Sequence, residues 1–153
     1  MKNAIGALFC AVVLLVAAGS AWAEQECYTL AGGTFFWGEG NMGLVLNISD
    51  PSGEGKVLKV TGKGINATND PIYFQGATRT FGLIKEFSLH GSGMHIYTSI
   101  WGQHAYLVNV IYEYHLALAP KDGRWEGTYH GEIHTSEGEE KDVSGVVVSA
   151  TCK

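Results

Sequence analysis

Histidine and glutamate residues are concentrated in two segments of the second half of the chain, with Glu113 and His115 in one and His130, Glu132 and His134 in the other. Alternate residues of an extended strand share a face and lie about 6.6 Å apart. Neighbours in the second segment are therefore close enough to share a ligand. Imidazole and carboxylate are ligands for zinc and copper, and they also serve as general acids and bases.

The outward face of a sheet has the same kind of composition, because solvent exposure alone selects polar and charged residues. A cross-strand pair such as Glu113 with His130 would then be an ordinary surface contact. We take the solvent face as the main interpretation. A metal or acid–base site at His130, Glu132 and His134 is the alternative.

A second pair of histidines, His90 and His95, flanks the segment Gly91-Ser92-Gly93-Met94. Glycine supplies the positive φ that turns require, so this segment predicts a hairpin turn with the two imidazoles close together. Two imidazoles alone complete no metal site. The sequence has no Gly-x-Ser-x-Gly, no phosphate-binding glycine loop and no Cys-x-x-Cys. It therefore lacks the usual signatures of nucleophilic hydrolysis, nucleotide binding and thiol redox chemistry, and we predict no cofactor.

The turn sequence Pro120-Lys121-Asp122-Gly123 lies between two long alternating runs, which predicts a hairpin with two distinct faces. One face is polar and carries Glu113, His115, His130, Glu132 and His134. The other face is apolar and collects Val108, Val110, Tyr112, Tyr114, Leu116, Leu118, Trp125, Gly127, Tyr129, Gly131 and Ile133.

Small and bulky residues alternate on the apolar face, as side chains that interdigitate in a narrow interior must. This face is the core or the wall of a cavity. Inward tyrosine hydroxyls need partners and would orient a bound molecule, whereas tyrosines at the ends of a barrel would keep their hydroxyls in water. We predict a site for a small, largely apolar ligand. Its candidate residues are Tyr112, Tyr114, Trp125 and Tyr129.

Apolar–polar alternation recurs throughout the chain after Glu24, separated by glycine- and proline-rich turns, and no segment there has a sustained helical period. The predicted strands span about 28–37, 43–49, 56–65, 72–80, 83–90, 94–101, 104–119, 125–135 and 143–152. The turns between these strands are too short for the crossover connections that parallel strands need, so neighbouring strands are expected to pair antiparallel. The acidic segment 136–141 is predicted to be a mobile loop.

Eight or nine antiparallel strands in one domain predict an all-β fold, namely a small up-and-down barrel, with a two-sheet sandwich as the alternative. In strand number and closure the barrel resembles the calycin-like barrels. No motif of that family is present, so no residue role carries over.

Two cysteines, Cys27 and Cys152, lie near the ends of the predicted domain. In an exported chain such a pair predicts a disulfide. The bond would close a loop of about 125 residues, and the chain-entropy model assigns it roughly 4 to 5 kcal/mol. It also requires the first and last strands to lie close together.

Residues 1–23 have the layout of a signal peptide, with Lys2, an apolar run from Ala4 to Ala18, and a small-residue end at Ala23. The run has about 15 residues, fewer than the roughly 20 of a spanning helix. We predict one exported domain, residues 24–153, in the periplasm or outside the cell, with no membrane insertion.

The chain is mildly acidic, with a formal net charge of −5, and its basic residues form no run, which argues against a nucleic-acid partner.

Three functions remain. The first is a non-enzymatic barrel that binds a small apolar molecule, and the second is a module that binds another envelope protein. The third is a small enzyme or metal-binding barrel that uses the Glu and His residues.

Overall fold

The computed structural model describes residues 24–31, 34–35, 38–49, 56–65, 69–98, 102 and 104–153. The predicted signal peptide, residues 1–23, lies outside the described residues, as does the segment 50–55 between the second and third predicted strands. Within these ranges the chain forms strands and no helix, so it contains no helix long and apolar enough to cross a membrane.

Ten strands are described, and eight of them form a closed antiparallel barrel in the order β1-β10-β9-β8-β7-β6-β5-β4. The short strands β2 and β3 pair with each other in a separate two-stranded sheet. The structure confirms the predicted up-and-down barrel over the two-sheet sandwich. The strands are β1 (Glu24–Ala31), β2 (Thr34–Phe35), β3 (Gly38–Glu39), β4 (Met42–Ile48), β5 (Leu58–Ile65), β6 (Pro71–Phe81), β7 (Ile84–Thr98), β8 (Ala105–Lys121), β9 (Arg124–Thr135) and β10 (Glu140–Ala150).

Period-two alternation places the core inside the barrel. On β8 every second residue from Val108 to Leu118 is buried and the residues between them are exposed. The facing strand β9 buries Tyr129, Gly131 and Ile133 in the same way. The two-faced hairpin predicted from the sequence is therefore confirmed, with the apolar face inward.

The β8–β9 hairpin closes through the two residues Asp122 and Gly123, and Lys121 pairs with Arg124 on either side of them. Both turn residues have positive φ, 51° for Asp122 and 78° for Gly123. Two positive φ values define a turn whose twist matches that of the flanking strands. Asp-Gly is one of the few dipeptides that adopt this conformation at low cost.

The prediction of a turn at Gly91-Ser92-Gly93 is wrong, because β7 runs through this segment without a break. The glycines serve packing instead. A Cβ atom on Gly91 would lie 2.4 Å from the ring of Phe74, and one on Gly93 would lie 3.0 Å from the carbonyl oxygen of Pro71. A glycine under an aromatic ring has the same sequence signature as a glycine in a turn.

Two predicted boundaries also differ from the structure. The first strand begins at Glu24 and ends at Ala31, and the segment after it contributes to the small β2–β3 sheet. The predicted mobile loop 136–141 is shorter, since Glu140 already opens β10. The turn before it is hydrogen-bonded: the Thr135 carbonyl accepts from the Gly138 amide at 3.0 Å, and the Glu139 carbonyl accepts from the Thr135 amide at 2.9 Å.

The predicted disulfide joins Cys27 and Cys152, whose Cα atoms lie 5.3 Å apart. Strand β1 pairs with β10 on one side and with β4 on the other, so it is the strand that closes the barrel. The disulfide therefore ties the chain where its first and last barrel strands meet.

Candidate functional site

Four aromatic side chains, Phe74, Tyr112, Tyr114 and Tyr129, form a connected group inside the barrel, which we call the aromatic cluster. Tyr114 is at its centre and is fully buried. Its ring centroid lies 5.9 Å from that of Phe74, 6.1 Å from that of Tyr112 and 5.9 Å from that of Tyr129. The Tyr114 and Tyr129 rings are nearly perpendicular, a favourable edge-to-face arrangement.

Glycine on the neighbouring strand makes room for the central ring. Tyr114 of β8 lies opposite Gly131 of β9. A Cβ atom on Gly131 would lie 2.3 Å from a ring carbon of Tyr114 and 2.3 Å from the carbonyl oxygen of Glu113. The predicted alternation of small and bulky residues thus has a direct cause: the Tyr114 ring packs against the backbone of Gly131.

The hydroxyl group of Tyr114 has no hydrogen-bond partner among the described residues, although it is removed from water. Burial is the main cause that raises the pKa of Tyr114 well above its usual value, and the neighbouring Tyr112 and Tyr129 raise it further. The group is therefore a neutral hydroxyl, able to donate and to accept.

Of the four predicted ligand-binding residues, the structure brings Tyr112, Tyr114 and Tyr129 together and places Trp125 elsewhere. Trp125 is half-buried at the end of the barrel where β9 begins. Its ring centroid lies 4.6 Å from the Nζ atom of Lys85, which is a cation–π contact.

At that end of the barrel an ion pair spans the interior. Lys85 of β7 and Glu26 of β1 come from opposite walls, four places apart in the order of eight strands. Their Nζ and Oε1 atoms lie 2.5 Å apart, and both side chains are largely buried, with 13% and 14% exposed. The hydroxyl of Tyr28 donates a hydrogen bond to the other Glu26 carboxylate oxygen.

Sequence reasoning missed this ion pair, which we call the mouth pair. Glu26 and Lys85 are 59 residues apart, and neither has an unusual local context. The one available signal was position, because each residue lies two and four positions before buried apolar residues, Tyr28 and Leu30 in β1 and Phe87 and Leu89 in β7.

The predicted Glu and His residues lie on the outer surface of β8 and β9, as the solvent-face interpretation expects. The rings of His115 and His130 stack with centroids 5.2 Å apart. The Nδ1 atom of His90 lies 3.5 Å from a carboxylate oxygen of Glu113. A shallow groove of about 420 Å³ runs along this surface. It is lined by Glu113, His115, His130, Glu132, Asp142 and Ser144, among others.

The alternative metal ligands do not converge. His134 lies between two carboxylates, with Nε2 3.3 Å from Glu132 and Nδ1 3.4 Å from Glu140, whereas His130 stacks on His115. Within the described residues no group of three or more His, Cys, Asp or Glu side chains is arranged to hold a metal ion.

The predicted contact between His90 and His95 is wrong, because both residues belong to the single strand β7. They are five positions apart, an odd number, so they face opposite sides of the strand. His90 contacts Glu113, as described above. His95 is largely buried instead, with its Nδ1 atom 2.5 Å from a carboxylate oxygen of Asp70.

Large apolar side chains are also exposed on the outer surface of β5 to β8, near the end of the barrel opposite the mouth pair. We call this group the outer patch. Leu107 pairs directly with Ile96, and Ile111 with Ser92, which in turn pairs with Tyr73. Its members are Ile65, Tyr73, Met94, Ile96, Leu107 and Ile111, between 42% and 63% exposed.

The structure is thus a small β-barrel with a buried aromatic cluster, an architecture compatible with a ligand-binding barrel. No protein-family model, no curated protein and no solved structure matches this chain.

Proposed function

We propose that this protein is a non-enzymatic binding barrel that holds a small, largely apolar molecule against the aromatic cluster. The observation that carries the proposal is the buried Tyr114 hydroxyl without a hydrogen-bond partner among the described residues. A ligand with one polar group on an apolar body matches this environment, since it would contact the rings and bond to the hydroxyl.

The energetics favour such a ligand. A buried polar group left without a hydrogen bond costs about 1–3 kcal/mol. A ligand group that reaches the Tyr114 hydroxyl recovers this cost, and its apolar part adds roughly 25 cal/mol for each Å² removed from water. Buried side chains form one continuous core inside the barrel, and aromatic rings lie directly against Gly91 and Gly131, so the ligand must be small.

Phenol and benzene are a matched pair of probes for this proposal, because they differ by one hydroxyl group. We expect phenol to bind the oxidised protein more tightly than benzene, as measured by calorimetry and by the rise in melting temperature. Replacing Tyr114 with Phe removes the hydroxyl, and we expect the preference for phenol to disappear. Tyr73→Phe is the control, because Tyr73 is exposed on the outer surface.

The competing explanation is that a buried water molecule satisfies the Tyr114 hydroxyl. Wild-type protein that binds neither probe, or that prefers phenol equally with and without Tyr114, would refute the proposal. Mass spectrometry of solvent extracts from the purified protein would identify any molecule that it carries from the cell.

A module that binds another protein is the second candidate function, and the outer patch favours it. Contiguous apolar surface that remains exposed on a soluble domain marks interaction sites. The enzyme and metal-binding alternatives rest on the outward Glu and His residues, which in the described part of the chain form no group arranged to hold a metal ion.

We also propose that the protein is exported, to the periplasm or beyond, and that cleavage follows Ala23. The support is the layout of residues 1–23 together with the disulfide, since disulfides persist in oxidising compartments. Intact-mass analysis of protein made from the full precursor tests both parts. A mature chain that begins elsewhere or remains in the cytoplasm would contradict them.

A further inference from the structure

We propose that the outer patch is a dimer interface, at which two copies of this chain pack with their sheets face to face. This inference does not depend on the proposed ligand. It concerns the outside of the barrel, whereas the aromatic cluster lies inside it.

The patch is continuous across four neighbouring strands. Ile65 pairs with Pro71 at the edge of β5 and β6, and Tyr73 lies two residues farther along β6 on the same face. Met94 and Ile96 extend this face on β7, next to Leu107 on β8. Each of these five side chains except Ile65 exposes about six-tenths of its surface.

The strands that carry the patch reach beyond their neighbours. Pairing of β6 with β7 ends at Gly93, and pairing of β9 with β8 ends at Val110. The segments 94–98 and 105–109 therefore form a two-stranded ribbon past the rest of the barrel. Neither segment contains a charged residue or a proline, the features by which exposed strands usually avoid other chains.

The charge distribution makes the outer patch the face through which two copies can meet. The chain carries a net charge of −5, which opposes contact between copies through most of its surface. On the same barrel, the outer face of β8 to β10 exposes Glu113, Glu132 and Asp142. The outer patch has no carboxylate, and the Lys63 ammonium at its border lies 5.9 Å from the Tyr73 ring. Two patches related by a two-fold axis therefore meet without opposing carboxylates.

The size of the patch is adequate for a modest dimer. Six side chains at about half exposure present roughly 500 Å² of apolar surface on each copy, so a dimer would bury roughly 1,000 Å² in total, near the lower limit for a specific interface. We therefore expect dissociation in the micromolar range.

Sedimentation velocity and light scattering of the full chain, in oxidised form, test the proposal from micromolar to near-millimolar concentration. We expect a monomer–dimer equilibrium. Ile96→Glu places a carboxylate in the apolar interface, and we expect it to weaken the dimer at least about tenfold, equivalent to 1.4 kcal/mol. Val146→Glu is the control, because Val146 is similarly exposed on β10, outside the patch.

Ile96→Thr provides a second, milder variant that keeps a β-branched side chain in the strand, and circular dichroism checks that each variant remains folded. Wild-type protein that stays monomeric at every concentration would overturn the proposal. A dimer weakened equally by Ile96→Glu and Val146→Glu would also overturn it. So would a monomer that binds vesicles of phosphatidylcholine and phosphatidylglycerol through Ile96, because the patch would then dock on lipid.

Discussion

The ammonium group of Lys85 and the carboxylate of Glu26 meet across the interior of the barrel, 2.5 Å apart, from strands on opposite walls. The Trp125 ring covers the ammonium, and the Tyr28 hydroxyl bonds to the carboxylate. Each charge is thus compensated within one end of the barrel. The pair links two walls that are not hydrogen-bonded to each other.

Removing one member of this pair should cost more stability than removing both. Lys85→Met leaves the Glu26 carboxylate largely buried without its partner, and we expect a loss of about 3 kcal/mol in the free energy of unfolding. The double variant Glu26→Gln with Lys85→Met leaves no uncompensated charge. We expect it to be more stable than Lys85→Met alone, as measured by urea unfolding. If the losses of the two single variants simply add, the pair is not coupled.

Gly131 should tolerate no side chain. Gly131→Ala places a methyl group 2.3 Å from both the Tyr114 ring and a backbone oxygen, and we expect it to destabilise the barrel by about 1–3 kcal/mol or more. The matched control is Gly43→Ala in β4, where a Cβ atom meets nothing within 4 Å. Thermal unfolding of both variants is the measurement. Equal melting temperatures would show that the ring does not lie over Gly131.

The disulfide should stabilise the barrel chiefly by restricting the unfolded chain. Replacing Cys27 and Cys152 with serine opens a loop that spans 125 residues, and we expect a loss of roughly 4 kcal/mol by the chain-entropy model. Unfolding in urea with and without reductant measures this loss. Reductant should destabilise the wild type and leave the double variant unchanged, and an effect on the variant would contradict this assignment.

Alkaline pH should destabilise the fold through its buried tyrosines. Burial is the main cause that raises the pKa of Tyr28 and of Tyr114 well above 10, so above that pH the unfolded chain loses protons that the folded chain keeps. Stability is therefore full below about pH 10 and falls above it, by about 1.4 kcal/mol per pH unit for each such tyrosine.

Urea unfolding over a pH series, together with tyrosinate absorbance, measures this effect. Tyr114→Phe should reduce the pH dependence, and Tyr73→Phe, at an exposed position, should not. Tyrosinate absorbance that develops for every tyrosine near pH 10, while the barrel remains folded, would contradict the burial of these hydroxyls.

Much of this fold follows from local pattern. Alternation with period two assigns the inward and outward faces of β8 and β9, because side chains of a strand point to opposite sides in turn. Asp122-Gly123 specifies its hairpin, because few residue pairs accept two positive φ values. The positions of Cys27 and Cys152 require the first and last strands to meet, and a closed antiparallel barrel satisfies that requirement.

The candidate site depended on tertiary structure. The sequence placed Trp125 with the three tyrosines because all four share one face, but position along the strand put it at the mouth of the barrel instead. Gly91 and Gly93 have the composition of a turn, and only the packing of β6 against them, with the Phe74 ring at Gly91 and the Pro71 carbonyl at Gly93, shows that they belong inside β7.

The sequence by itself thus determined the all-β class, most of the strands and the two faces of the β8–β9 hairpin, because these depend on residues that are close along the chain. The tertiary structure alone decided which residues meet across the interior. Glu26 and Lys85 form their pair only when closure of the sheet places β1 and β7 on opposite walls of one interior, and no local pattern encodes that distance.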